Sequence, residues 1–276
     1  MDEVNSKFIR YDKKISNNGK GVKIAIIDCA IKPYNKGSLP SLKVDFIDKE
    51  PLKNSHGNVI YDIIWNKEYG LANESELYHY VVTNNKGVSS LKDINTAIKD
   101  CVRKGVDIIN LSLMYLEHNV NYLDNTLSMF TNKGGIIIAS SGNENINKVR
   151  YPSSRQDIIS VGDYDYALGK SGNIGNTGHS LDITAPCTNI YLPKKYKDNN
   201  EHRGTSFGSA YVTGVIAQVV NLLKENDITY NHYMLKEILE GAKVKSSIYV
   251  GRYGYLDYTN IIVYTNKYIT NMKGGN

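Results

Sequence analysis

An α/β fold, with a mostly parallel sheet and helices on both of its faces, is what the 276-residue sequence predicts. Two patterns carry that reading. Near-continuous apolar runs at residues 22–27 and 135–139 have the form of strands buried on both faces, as parallel sheets require. Segments with apolar residues at helical spacing alternate with such runs, the arrangement of helices packed on a parallel sheet. A chain of this length buries a large core in one domain, residues 1–276. No internal repeat, low-complexity tract or Pro/Ser-rich linker points to a second domain.

The elements follow in order. The run Val22-Lys23-Ile24-Ala25-Ile26-Ile27-Asp28 is a strand that ends in a carboxylate. The carboxyl ends of strands are where open α/β sheets place their ligands. Ser55-His56-Gly57-Asn58 precedes Val59, Ile60, Ile63 and Ile64, so a helix over 55–65 starts with His56 at its amino end. Further helices are predicted over 90–104, 122–133, 206–225 and 231–242. Gly135-Ile136-Ile137-Ile138-Ala139-Ser140-Ser141-Gly142-Asn143-Glu144 is a second buried strand, closed by small residues and an amide. Gly204-Thr205-Ser206-Phe207-Gly208-Ser209-Ala210 leads into the apolar run 211–220. It puts a hydroxyl at a loop-to-helix junction, where the helix dipole favours negative charge. A nucleophile suits that place, and so does an ordinary Ser/Thr N-cap.

Taken singly, Asp28 reads equally as a cap or buried acceptor, His56 as a surface residue and Asn143 as a turn residue. Taken together, Asp28, His56 and Ser206 stand in the chain order of one arrangement of the serine-hydrolase triad. On these segments the chain resembles the subtilisin-like serine peptidases, the subtilases, from about residue 21 to about residue 259. The resemblance implies a subtilisin-like three-layer fold and an acyl-enzyme mechanism. Ser206 would attack, His56 would carry the proton, and Asp28 would orient the imidazole. Asn143 and the Ser206 amide would hold the oxyanion. It also implies that Gly87-Val88-Ser89 and the strand 107–113, with Ser112, Leu113 and Met114, hold the substrate between them as an added strand. Ser140, Ser141 and Gly142 would back the primary specificity pocket. Arg150 falls at that pocket's floor, where it either narrows the pocket and favours an acidic or amide side chain, or turns to solvent. Tyr151-Pro152, Asp163, 181–186 and 253–257 match landmarks of fold.

The departures from the family pattern are Cys29-Ala30 after the Asp, Asn58 and Val59 after the His-Gly pair, Met114 after Ser112-Leu113, and Phe207-Gly208-Ser209-Ala210 after the Ser. None removes a proton-transferring or oxyanion-binding group. They suggest a specialised member. Cys29 is expected to pack in its strand.

Composition excludes other classes. A net charge of +5 is spread out, with no block dense enough for nucleic acid. Lys194-Lys195-Tyr196-Lys197 reads as a solvated loop. No run resembles a membrane span or signal peptide. Cys29, Cys101 and Cys187 form no disulfide framework or zinc pattern, so a reducing cytoplasm is the expected setting. No metal or cofactor is expected, and residues 64–77 lack a calcium-loop insertion. Only 21 residues precede the first strand, so the expectation is an enzyme made without a propeptide. Such an enzyme needs a narrow specificity or a rare substrate. Intracellular family members that remove leader peptides from ribosomally made, modified peptides of the lantibiotic type fit that description. A general intracellular protease and a non-catalytic peptide-binding homologue are the alternatives.

Overall fold

The apolar runs form one twisted layer. In the computed structural model, which describes residues 7–31, 56–83, 88–113, 121–166, 169–188, 203–244 and 250–274, the strands are β1 (Lys23–Cys29), β2 (Glu76–Thr83), β3 (Ile108–Leu111), β4 (Ile136–Ser140), β5 (Ile159–Asp165), β6 (Lys170–Ser171) and β7 (Ile183–Pro186). They make a sheet in the order β2-β1-β3-β4-β5-β6, with β7 also paired to β5. All pairings are parallel except β5 with β6.

Alternation along each strand divides the core. Ile24, Ile26, Ile108, Ile136 and Ile138 face one side. Ala25, Ile27, Ile109, Ile137 and Ala139 face the other. Helices α2 (Leu91–Lys104) and α3 (Asn121–Thr131) cover the second side through Ile94, Ile98, Leu127 and Phe130. Helices α1 (His56–Trp65), α4 (Thr205–Glu225), α5 (His232–Gly241) and α6 (Tyr258–Gly274) cover the first. These are the three layers expected.

The ends of the helices have local causes. Ser90 caps α2 by accepting from the Asp93 amide, and Gly105 closes it in the left-handed conformation at φ 63°. Asn231 caps α5 by accepting from the Met234 amide. The helix expected over 122–133 runs instead over Asn121–Thr131, because Gly134 and Gly135 draw the chain into a turn that starts β4. Helix α6 is absent from the sequence expectation. It is rich in Thr, Asn and Tyr, which have modest helix propensity, and it is held by Tyr258, Ile261, Ile262 and Ile269 on the α4-side core. Helix α4 is long and apolar enough to cross a membrane, but 94% of its most apolar window is buried inside the protein. It is the central core helix.

Register builds the site. Ile27 pairs with Leu111, and Leu111 with Ala139. The next residues, Asp28, Ser112 and Ser140, therefore emerge side by side at the carboxyl edge of the sheet. The amino ends of α1 and α4 face that edge.

Candidate active site

Asp28, one residue before the end of β1, is almost wholly buried, at 1% exposure. Its Oδ1 accepts from the Cys29 amide at 2.7 Å and from His56 Nδ1 at 2.9 Å. A carboxylate only accepts, so Nδ1 carries a ring proton, and in the neutral ring Nε2 keeps its lone pair. Burial pushes Asp28 up, but the charge and hydrogen bond of His56 and the Cys29 bonds outweigh it and hold the carboxyl below its usual range. Burial pulls His56 down, but the Asp28 charge and hydrogen bond raise it above the usual imidazole value. The imidazole keeps a solvent-facing edge, 38% exposed.

His56 is the first residue of α1, and Gly57 explains how that helix comes so near. A Cβ at position 57 would lie 2.7 Å from the Cys29 carbonyl oxygen and 3.4 Å from Asp28 Oδ1. The turn after Asp28 is tied from behind by His79, wholly buried on β2, whose Nε2 donates to the Cys29 carbonyl at 2.8 Å. Burial lowers the His79 pKa, which keeps this ring neutral.

Ser206 is the second residue of α4, not its cap. The cap position is Gly204, which supplies no side-chain bond, so the N-cap alternative does not hold. The buried Ser206 Oγ donates to the Ser112 carbonyl at 3.4 Å. No hydrogen bond joins it to His56 among the described residues, although the His56 ring packs 5.6 Å from that of Phe207, the next residue. A buried polar network fixes this helix start. Ser209 Oγ donates to the Ser206 carbonyl at 2.7 Å, Ser112 Oγ lies 2.9 Å from Ser209 Oγ, Asn110 Nδ2 donates to Ser112 Oγ at 2.9 Å, and Thr213 Oγ1 donates to Asn110 Oδ1 at 3.0 Å.

Asn143 lies on the loop after β4. Its Oδ1 accepts from the Thr205 amide and hydroxyl, each at 2.9 Å. An amide N–H needs an acceptor, so the oxygen belongs there and Nδ2 faces away. A Cβ built on Gly204 would stand 3.5 Å from Asn143 Nδ2 and 4.0 Å from the Ser206 amide nitrogen. Both nitrogens thus border the space that Gly204 leaves open. The Ser206 N–H is one of the amides that a helix start leaves without an intrahelical partner. An oxyanion hole requires two such donors.

The pocket residues fall nearby. Ser140 and Ser141 are buried, and Ser141 Oγ donates to the Asn176 carbonyl at 2.9 Å. The Gly142 carbonyl accepts from the Asn176 amide at 3.0 Å and the Thr205 hydroxyl at 3.3 Å. Arg150 does not turn to solvent. It is turned inward, with Nε 2.9 Å from Glu144 Oε1 and its side chain 18% exposed. Asn176 Nδ2 holds the other oxygen of Glu144 at 2.6 Å. Burial raises Glu144, but these bonds and the Arg150 charge keep the carboxyl below its usual range. Ser89 bridges Thr83 at the end of β2, with their hydroxyls 3.0 Å apart, and Val88 beside it is 61% exposed. Leu113 packs on the α2–α3 side of the core. Gly87, Met114 and Lys194-Lys195-Tyr196-Lys197 lie outside the described residues.

Cys29 departs from simple strand packing. It is half-buried, and its Sγ accepts from the Gly57 amide at 3.2 Å. Asp28, Cys29 and His56 each offer a ligand atom within 4.8 Å of the others. In the 64–77 turn, Asn66, Asn73 and Glu74 bond to Asp62, Lys67 and Asn18 of the chain itself. Sequence reading missed His79, Thr205, Glu144 and Asn176 as supports. Each acts on a group distant in sequence, and no local pattern marks such a partnership.

Comparison with known proteins gives the family and the fold. Residues 19–255 match the subtilase family of peptidases. The chain is 26% identical over 235 residues to the minor extracellular protease Epr of Bacillus subtilis (strain 168), covering 81% of this chain and 35% of that one. It thus spans about a third of that relative's length. Two solved structures share its fold. The prenylagaramide maturation protease PagA is 20% identical with a TM-score of 0.75, over 91% of this chain and 95% of that one. A lanthipeptide protease is 19% identical with a TM-score of 0.73, over 91% and 89%.

Proposed function

This chain belongs to the subtilase family, and we propose that it is a serine endopeptidase that removes leader segments from ribosomally made, modified precursor peptides. The observation that carries the peptidase reading is the joint placement of a buried Asp28–His56 pair and a Ser206 whose amide nitrogen borders, with Asn143 Nδ2, the space beside Gly204. Ser206 Oγ leaves the Ser112 carbonyl, gives its proton to His56 Nε2 and attacks the scissile carbonyl. Asn143 Nδ2 and the Ser206 amide hold the oxyanion. His56 then protonates the leaving amine, and water repeats the route on the acyl-enzyme. Asp28 stabilises the imidazolium throughout.

The finer reading rests on two supports. Arg150 and Glu144 lie against Gly142, where a Cβ would stand 2.7 Å from Glu144 Oε2 and 3.0 Å from Arg150 Cγ, and so limit the space beside it. Two proteins that share the fold bear names of peptide-maturation and lanthipeptide proteases. The substrate is a precursor peptide, and a reducing cytoplasm suits three cysteines that form no disulfide. The test compares casein with a panel of leader-bearing precursor peptides. Cleavage of one precursor at one bond, with casein left intact, supports the processing role. Rapid degradation of casein replaces it with general proteolysis.

A further inference from the structure

We propose that Asp28, Cys29 and His56 form an inhibitory zinc site that switches the peptidase off. The inhibition rests on the triad reading, whereas the binding rests on the three ligands alone. One oxygen of Asp28, the Cys29 sulfur and a ring nitrogen of His56 all lie within 4.8 Å of one another. Tetrahedral zinc, with bonds of about 2.0–2.3 Å, sets such atoms roughly 3.3–3.7 Å apart. Closing that difference takes a rotation of the half-buried Cys29 and of the imidazole, whose outer edge is in solvent.

Two further observations point to a ligand. Among the described residues Asp28 Oδ2 is buried with no hydrogen-bond partner, a costly state for a carboxylate oxygen. A metal ion would satisfy it. The Cys29 sulfur sits against the first turn of α1 and accepts the Gly57 amide. The helix terminus and that N–H both stabilise negative charge on sulfur, the form that binds metal. A thiolate and an imidazole select zinc over magnesium or calcium. Three protein ligands with one open position are a familiar zinc arrangement.

The proton count closes. The Cys29 S–H bond breaks and its proton goes to solvent. The ion takes the Nδ1 lone pair, so the single ring proton moves from Nδ1 to Nε2. Zinc then carries one carboxylate, one thiolate and one neutral imidazole, and water completes the shell. No redox change is involved. A His56 with Nε2 protonated donates toward Ser206 and has no lone pair there to accept its proton. The base is lost without any block of the substrate groove.

The binding arm adds cobalt(II), a spectroscopic stand-in for zinc, to the full chain carrying Ser206→Ala. The expected result is one equivalent of tetrahedral cobalt with thiolate-to-metal charge-transfer absorption. Zinc should displace it, and Cys29→Ser, which keeps an acceptor for the Gly57 amide, should lose it. The activity arm measures peptide cleavage by the unmodified chain. Zinc should inhibit, a chelator should restore activity, and Cys29→Ser should need at least tenfold more zinc for the same inhibition. Absence of the thiolate band, its survival in Cys29→Ser, or equal zinc sensitivity of the two proteins overturns the site. A thiolate band in a chain that cleaves no peptide with or without chelator supports the site and overturns the protease reading.

Discussion

Asp28 and His56 move each other's acidity in opposite directions, and the sign of the pH dependence follows. In the proposed mechanism the base is neutral His56, whose pKa is raised by Asp28. Activity therefore falls as pH drops through a midpoint above the ordinary imidazole value of about 6.5. Asp28→Asn removes the raising charge. The acidic limb of kcat/KM should shift to lower pH while its plateau falls about 10⁴-fold. A pH–rate profile of both proteins checks this. At the oxyanion position, Asn143→Ala should cost about 10²–10³ in kcat with little change in KM. Gly204→Ala should cause a comparable loss and also lower the melting temperature, since φ is 159° there, a conformation that L side chains rarely adopt, although the new methyl meets only Asn143 Nδ2, Asn143 Oδ1 and Ser206 N at 3.5–4.0 Å. The four principal residues were legible because each stands at the end of a strongly patterned element. Arg150 was not, because its neutralising partner Glu144 is set by how the loop folds.

The amino ends of α1 and α4 are held by different means, and each can be broken separately. Helix α1 approaches β1 through Gly57. Gly57→Ala places a Cβ 2.7 Å from the Cys29 carbonyl, so the helix must retreat and carry His56 from Asp28. Activity should drop far more than stability, with kinetics and calorimetry run on the same sample. Helix α4 is fixed by the Asn110–Ser112–Ser209–Thr213 network. Thr213→Val deprives the buried Asn110 oxygen of its donor and should cost about 1–3 kcal/mol in denaturant unfolding. The buried strands were readable as apolar runs, and the helices that pack on them as apolar periodicity. Helix α6 was not, because its Thr, Asn and Tyr content hides the few apolar side chains that dock it. Here packing overrides propensity.

Across the whole molecule, the parallel sheet brings five distant segments to one edge. The register of β1, β3 and β4 aligns Asp28, Ser112 and Ser140, and two helix starts deliver His56 and Ser206 to that line. The order of the motifs carried this assembly, whereas the bonds that hold it run between residues with no shared local pattern. Helix α6 closes the far side of the core. Its first residue, Tyr258, donates through its hydroxyl to Gln218 of α4 at 2.9 Å, and Ile262 packs in the core that α4 shares. Ile262→Ala should therefore cost about 2–5 kcal/mol in global unfolding, without changing cleavage by the folded fraction. The central claim is that these parts make Ser206 a nucleophile. Treatment with a fluorophosphonate, followed by mass spectrometry of the adduct, tests it most directly. One label on Ser206, lost in His56→Ala, is expected. A folded chain that takes no label, or takes it elsewhere, would contradict that claim.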